Sequence, residues 1–339
     1  AERDAAALQA AREEVAVAVA WEDYLRSRRS KWGSRTLLDH QRLAAAGGVE
    51  RKRGIGVTVA GPLAPLMKLR LTDLDSVTLT AWLDDEGARR PSGTAHAFRL
   101  IRGFIRWAAE DPRYCELIAA DAYRGKTVAE AVPRSKVKEG DCLQREQLGP
   151  WFKAVRGLGN PVHAAYLQAL LLTGARREEM ANLRWQDVDS QWGSLTIADK
   201  VEGQRVIPLT PYVSCLLAGL PRRNDWVFSS PAAKSGRLQE PRMAHQRVLD
   251  VSGLPHITIH GLRRSFGTLC EWIEMPAGIA AQIMGHKPSA LAEKHYRRRP
   301  LDLLRQWHTK AEAWILEQGG VQFQPKAESG SSRRVLAAA

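Results

Sequence analysis

The run from Thr258 to Pro300, TIHGLRRSFGTLCEWIEMPAGIAAQIMGHKPSALAEKHYRRRP, constrains this chain more than any other stretch. It holds a His-x-x-Arg at His260 and Arg263, a Gly-His at Gly285 and His286, and Tyr296 followed by Arg297, Arg298 and Arg299. On a helix, His260 and Arg263 lie three residues apart and share a face, so both reach one small anionic group. A tyrosine flanked by cations sits in a positive field that favours phenolate over phenol. Cations, imidazoles and an activatable hydroxyl together form a kit for attack on a phosphodiester. Each piece also has a plain structural reading: a solvated helix face, or a core tyrosine with its hydroxyl at the rim. The run therefore carries weight only if upstream residues supply the missing parts and the fold closes them onto it.

At 339 residues the chain has room for two domains, and a hydrophobic fraction of 44% supplies their cores. The net charge of +13 and pI near 9.9 do nothing for a fold but attract polyanions. Cys115, Cys142, Cys215 and Cys270 form no C-x-x-C pair, so no zinc ribbon is implied, and scattered cysteines fit a reducing cytoplasm. The Ala-rich start is broken by Arg12, Glu13 and Glu14, so it is not a signal peptide, and no apolar run reaches membrane-spanning length. Numbering from Ala1 rather than Met suggests a fragment with an N-terminal part removed.

Taken in order, residues 4–27 read as a helix closing on Trp21, Tyr24 and Leu25. From Arg26 to Arg53 there are nine Lys/Arg against two acids, ending in a Gly47–Gly56 loop whose Arg51, Lys52 and Arg53 suit phosphate contact. Helices are expected at about 75–88 and 92–110. In the second, Phe98, Ile101, Ile105 and Ala108 form an apolar stripe, while Arg99, Arg102 and Arg106 form a second stripe about 100° away, suited either to water or to DNA. Residues 125–141 lack periodicity and read as a basic connector. Beyond it, helices are expected at 144–156 and 162–172, with a break at Gly174 and another helix from Arg176. Strands follow at Ser194–Ile197 and Gln204–Leu209, joined by a turn carrying Lys200, with a further strand at 226–228 and a helix at 241–252. After Pro300, Leu304, Trp307, Ala311, Trp314 and Ile315 line one face of a last helix, able to pack on its own domain or on a neighbour.

Four segments, in order over about 125 residues, carry a family resemblance. LLTGARREEMANLRWQDVD resembles the first arginine box of the tyrosine recombinases, the phage integrase family. DKVEGQRVIPL resembles their β-hairpin lysine box, HGLRRSF their His-x-x-Arg box, and MGHKPSALAEKHY their Gly-His and nucleophile box. The resemblance implies a mainly α fold with a small antiparallel β-sheet. It implies a helical core-binding domain over 1–124, a linker at 125–141, a mixed α+β catalytic domain over 142–317 and a flexible tail at 318–339. It also implies a site-specific recombinase that cuts and rejoins DNA through a 3′-phosphotyrosine.

Carried over residue by residue, Arg176 and Arg263 would hold the nonbridging phosphate oxygens, and Lys200 would protonate the leaving 5′-oxygen. His260 would orient the phosphate or take the tyrosine proton, and His286 would donate to the phosphate. Tyr296 would attack phosphorus. Glu179, matching an acidic position of the first box, would hold the site from behind. Tyr296 follows His286 by ten residues, one more than the commonest family spacing, and no arm-binding domain is legible near the start. No metal or cofactor is called for, since arginines stabilise the developing charge. The partners implied are double-stranded attachment or core sites, further copies of the chain up to a tetramer, and accessory DNA-bending or directionality proteins.

Three other readings compete. A type IB topoisomerase would share the chemistry without the tetramer, and a helix after the tyrosine, of a kind that protomers can trade, favours the recombinase. A non-catalytic DNA-binding protein on the same scaffold would have no use for the full residue set. A zinc hydrolase built on His256 and His260 would need a helical pair and a third ligand.

Overall fold

The computed structural model describes residues 14–51, 54–134, 139–199, 203–286 and 299–324. The chain divides into two compact units, residues 1–137 and 138–339. Among the described residues no helix is long and apolar enough to cross a membrane. The expected class, mainly helical with one small antiparallel sheet, is found.

In the first unit, α1 (Val17–Arg28), α2 (Ser34–Ala44), α3 (Ala64–Met67), α4 (Ser76–Arg89), α5 (Pro91–Glu110) and α6 (Lys126–Ala131) enclose one core. Helix α1 starts at Val17, later than the expected 4–27, because Ala16 is extended and bridges Arg70; residues 1–13 lie outside the described set. Helices α4 and α5 fall where expected. Asp75 caps α4 by accepting from Thr78 N at 2.8 Å, and Pro91 opens α5 with its φ already helical. The α5 stripe of Phe98, Ile101, Ile105 and Ala108 is buried against Trp21, Leu79 and Leu83. Residues 125–141 are not wholly irregular: α6 forms within them, because Val128 finds a fully buried site in this core.

The second unit is built around α8 (Pro161–Thr173), apolar on every side and buried on every side, as a central helix must be. Asn160 caps its start, accepting from Val162 N at 3.0 Å. Gly174, at φ +59°, ends it in the left-handed region that glycine enters without Cβ strain. Around α8 pack α7 (Leu148–Arg156), α9 (Arg177–Ala181), α10 (Pro211–Ala218), α11 (Arg242–Ser252), α12 (Ile259–Cys270), α13 (Ala277–Met284) and α14 (Leu301–Gln318).

The sheet runs β1 (Val188–Asp189), β2 (Ser194–Asp199) and β3 (Gly203–Pro208), all antiparallel. Ser194 pairs with Pro208 and Asp199 with Gly203, so three residues, beginning with Lys200, join the two longer strands. The strand expected at 226–228 does not form. Trp226 makes a single bridge to Arg184, because the partner backbone turns into a 3-10 helix at Trp185–Asp187. Helix α14 packs on its own unit through Leu304, Ala311 and Ile315, with Trp307 and Trp314 half-buried at its edges. The first residues of the stretch expected to be a flexible tail, 318–339, pack on the unit. Val321 is buried and the Phe323 ring meets Tyr212 edge-on at 5.1 Å, while 325–339 lie outside the described residues.

A Cβ added at Gly174 would lie 2.7 Å from the Phe266 ring, at a φ that an L side chain rarely adopts. Gly174→Ala is therefore expected to lower stability by about 2 kcal/mol, through backbone strain and core overlap together. Urea unfolding followed by circular dichroism measures this.

Candidate active site

Arg176 sits at the N-terminal boundary of α9, three residues past the α8 terminus, its side chain 39% exposed. Glu179, one turn into α9, is buried and accepts from Arg176 twice, from the backbone N at 2.9 Å and from Nη1 at 2.5 Å. Its other side meets Arg205 of β3, whose Nη2 donates to Oε2 at 2.8 Å. One carboxylate thus holds two guanidinium groups that are 29 residues apart in sequence (205 minus 176). Burial opposes the Glu179 charge, but the hydrogen bonds and charges of Arg205 and Arg176 outweigh it and hold the carboxyl below its ordinary value.

Arg205 belongs to this cluster, and the sequence reading missed it. The signal was available, since strand alternation puts Arg205 on the inward face with buried Ile207, while Val206 points to solvent. A cation on an apolar strand face requires a partner.

His260 and Arg263 lie on α12, the helical setting in which their spacing gives them one face. Arg263 is buried, and its Nη1 donates to Gly174 O at 2.7 Å and Met284 O at 2.6 Å. Arg176 Nη2 donates to Gly285 O at 2.9 Å, and Arg205 Nε to Ile283 O at 3.3 Å. The three arginines therefore converge on the C-terminal turn of α13, where Gly285 takes a left-handed φ of +71° and His286 follows. Carbonyls in a last helical turn have no partner within the helix, and here arginine donors supply one.

His260, Arg263 and His286 line one cleft together with Gly140, Asp141, Cys142, Arg264, Gly267, Thr268 and Met284. Burial, then the charges of Arg264 and Arg263, push the His260 imidazole below its ordinary value. Burial, then Arg263, Arg176 and Arg205, do the same to His286. Both residues are exposed by surface area, so the burial is partial; the lowered direction favours the neutral imidazole at pH 7, able to donate from one nitrogen and accept at the other.

The neighbouring arginines have separate tasks. Arg177 pairs with Glu178 at 2.9 Å. Arg264 pairs at 2.5 Å with Asp141, a buried carboxylate that also accepts from Thr258 N at 2.6 Å and Thr258 Oγ1 at 2.8 Å. Asp141, which the sequence reading assigned to the linker, thus anchors the start of the helix that carries His260 and Arg263. Gly261 has no Cβ because one would lie 2.7 Å from the Asp141 carboxylate.

Lys200 and Tyr296 fall outside the described residues, as do Lys52 and Arg53. In the first unit, Arg51 lies exposed in a short hairpin and donates Nε–H to Val57 O at 3.1 Å. Arg99 is exposed and Arg102 half-exposed on α5, whereas Arg106 donates to Tyr123 Oη at 3.0 Å and stacks on that ring at 5.2 Å. His256 precedes α12 in an extended segment, so the helical pair that a metal-binding reading needs with His260 does not form.

Residues 16–130 match the phage integrase core-binding domain, and residues 154–300 match the phage integrase family. The chain is 53% identical over 336 residues to the prophage integrase IntF of Escherichia coli (strain K12), an overlap of 95% of this chain and 72% of that protein. It is 26% identical over 243 residues to the tyrosine recombinase XerC of Mycobacterium sp. (strain KMS), covering 65% and 78% of the two. Among solved structures, a lambda integrase tetramer bound to a Holliday junction aligns with a TM-score of 0.60 at 15% identity, over 85% of this chain and 81% of that one. The Tn1549 transposon integrase in complex with circular intermediate DNA aligns with a TM-score of 0.60 at 14% identity, over 88% and 99%. These two likenesses are of fold.

Replacing Glu179 by Gln removes the charge shared by Arg176 and Arg205 and is expected to cost about 3 kcal/mol at pH 7, because the buried Arg205 is left uncompensated. With the folded pKa depressed, the wild-type contribution is complete above 4.5, the ordinary value, and is lost as pH falls through the lower folded value. Urea unfolding at a series of pH values checks both. The wild-type advantage over Glu179→Gln should hold at pH 7 and shrink below about pH 4.5.

Proposed function

This chain belongs to the phage integrase family of tyrosine recombinases and is a site-specific integrase, and from that premise we propose how its residues divide the reaction. Arg176 and Arg263 bind the nonbridging oxygens of the scissile phosphate. Tyr296 Oη attacks phosphorus, forming the 3′-phosphotyrosine, while the P–O5′ bond breaks. Lys200 Nζ delivers its proton to the departing O5′, leaving a free 5′-hydroxyl. His260 accepts the tyrosine proton and His286 donates to a phosphate oxygen. Rejoining reverses these steps with a new 5′-hydroxyl, and the covalent intermediate conserves the bond.

The observation that carries this reading is the convergence of Arg176 and Arg263 on the α13 terminus beside His260 and His286, with Arg176 held by the Glu179 carboxylate. A pentacoordinate phosphorane gains negative charge, and fixed donors already aimed at it need not reorganise. Neutral imidazoles suit proton acceptance at His260 and donation at His286, whereas two further cations would repel Arg176 and Arg263.

The substrate proposed is a double-stranded attachment or core site, with four copies acting on two duplexes. What supports this is that the fold-related lambda integrase is a tetramer on a Holliday junction. Arg51, Lys52, Arg53, Arg99 and Arg102 are proposed to contact phosphate from the first unit. Arg106 is better placed to brace Tyr123. Accessory bending or directionality proteins belong to the same proposal, as does a cytoplasmic, DNA-associated site of action.

A nicked suicide half-site from the element's own attachment region tests the nucleophile. Wild type is expected to give a covalent protein–DNA band on a denaturing gel and Tyr296→Phe none. A band persisting in the mutant would place the nucleophile elsewhere.

Single-turnover cleavage against pH tests the imidazoles. The rate is expected to be level near pH 7 and to fall only below 6.5, as the depressed histidines acquire protons and His260 can no longer accept one. An acid limb lying above that value would contradict neutral, catalytic imidazoles.

A further inference from the structure

Helix α14 carries a polar stripe that its apolar periodicity conceals. Arg305, His308 and Glu312 follow one another at three and four residues, facing the unit's interior beside Leu304, Ala311 and Ile315. Each is bound to a different segment of the unit. Arg305 donates Nη1–H to Gly193 O at 2.5 Å and Nη2–H to Trp192 O at 2.9 Å, just before β2. His308, fully buried, donates Nε2–H to Leu172 O at 2.9 Å, four residues before Arg176. Glu312, also buried, accepts from Thr210 Oγ1, from Tyr212 N at 2.8 Å and from Val213 N at 3.1 Å, just after β3.

The β2–β3 hairpin is therefore held at its root from both strands by one helix. Gly193 O is the junction. It also accepts from Leu209 N at 2.9 Å, the backbone bond that closes the ladder beyond the Ser194–Pro208 pair. Gly193 takes φ +57°, and a Cβ there would lie 2.7 Å from Arg305 Nη1, so the backbone is bare where the guanidinium approaches. Six residues of strand make an arm of roughly 20 Å, and a tilt of about 10° at the root would carry the far end some ~3 Å, beyond hydrogen-bond reach. The far end of this arm is the connection that begins with Lys200. The same helix begins five residues after Tyr296 (301 minus 296).

We propose that Arg305 and Glu312 are positioning residues for the general acid. By fixing the root of the hairpin they deliver Lys200 to the leaving oxygen, and they tie that delivery to the helix that follows the nucleophile. This inference rests on Lys200 being the general acid.

The test separates proton delivery from every other step. In the ordinary half-site, Tyr296 Oη bonds to phosphorus, P–O5′ breaks, and O5′ takes the proton of Lys200. In a half-site whose bridging 5′-oxygen is replaced by sulfur, P–S breaks and the 5′-thiolate leaves without a proton. Wild type, Lys200→Ala, Arg305→Met and Glu312→Gln are compared on both substrates in single-turnover cleavage, with thermal melts run alongside.

Arg305→Met and Glu312→Gln are each expected to slow the ordinary substrate by about 10- to 100-fold and to cleave the sulfur substrate within about threefold of wild type, as Lys200→Ala does. Equal losses on both substrates, or no loss on the ordinary one, would overturn the proposal. A Lys200→Ala defect that sulfur does not relieve would instead overturn the general-acid assignment on which it rests. Should Glu312→Gln melt below the assay temperature, Arg305→Met decides alone, since the Arg305 side chain is 32% exposed and its loss leaves the core intact.

Discussion

Arginines cannot gather in a protein interior unless something offsets their mutual repulsion and their lost hydration. Here that task falls first to Glu179, a single carboxylate binding Arg176 from one side and Arg205 from the other. One negative charge does not neutralise the cluster of Arg176, Arg205 and Arg263. The remainder comes from backbone carbonyls at the ends of α8 and α13, where Gly174 O, Ile283 O, Met284 O and Gly285 O accept arginine N–H groups. A helix C-terminus is the negative end of the macrodipole, so these carbonyls stabilise cations without cancelling them. The cluster stays positive, as binding of a phosphodiester requires.

That arrangement depends on how the helices end. Gly174 and Gly285 both stop their helices in the left-handed region, turning carbonyls toward the arginines and sending Arg176, two residues on, and His286, one residue on, toward the same site. The start of α12 is fixed in a different manner, by Asp141 accepting from Thr258 and pairing with Arg264. Arg264 and Arg177, adjacent in sequence to the arginines proposed to hold the phosphate, are thereby occupied by carboxylates of their own.

The helices and the sheet were legible because their periods are local. The α5 stripe of Phe98, Ile101, Ile105 and Ala108 and the Gly174 break announce themselves within a few turns of chain. The errors share one cause, which is that tertiary partners decided. Val128 makes a helix of part of a basic, aperiodic stretch because a buried site awaits it. Trp226 makes one bridge and no strand because its partner backbone turns away. Among candidate site residues, His260, Arg263, Arg176, Glu179 and His286 could be named from the boxes that resemble those of the family. Arg205, Asp141 and Glu312 could not, because a charge looks the same in sequence whether it faces water or a buried partner.

The amino-acid sequence by itself determined the kinds of chemistry available: a tyrosine, cations and imidazoles in a fixed order, on helices whose starts and stops are written in Asn160, Gly174, Thr258 and Gly285. Tertiary structure alone decided which of fifty lysines and arginines act together. The partners of the Arg176 guanidinium lie 3 and 109 residues away along the chain, and those of Arg263 lie 89 and 21 away. The contacts 21 to 109 residues away follow from packing around α8, and local propensity carries no information about them, because the energy that selects them is the cost of burying a charge without a partner.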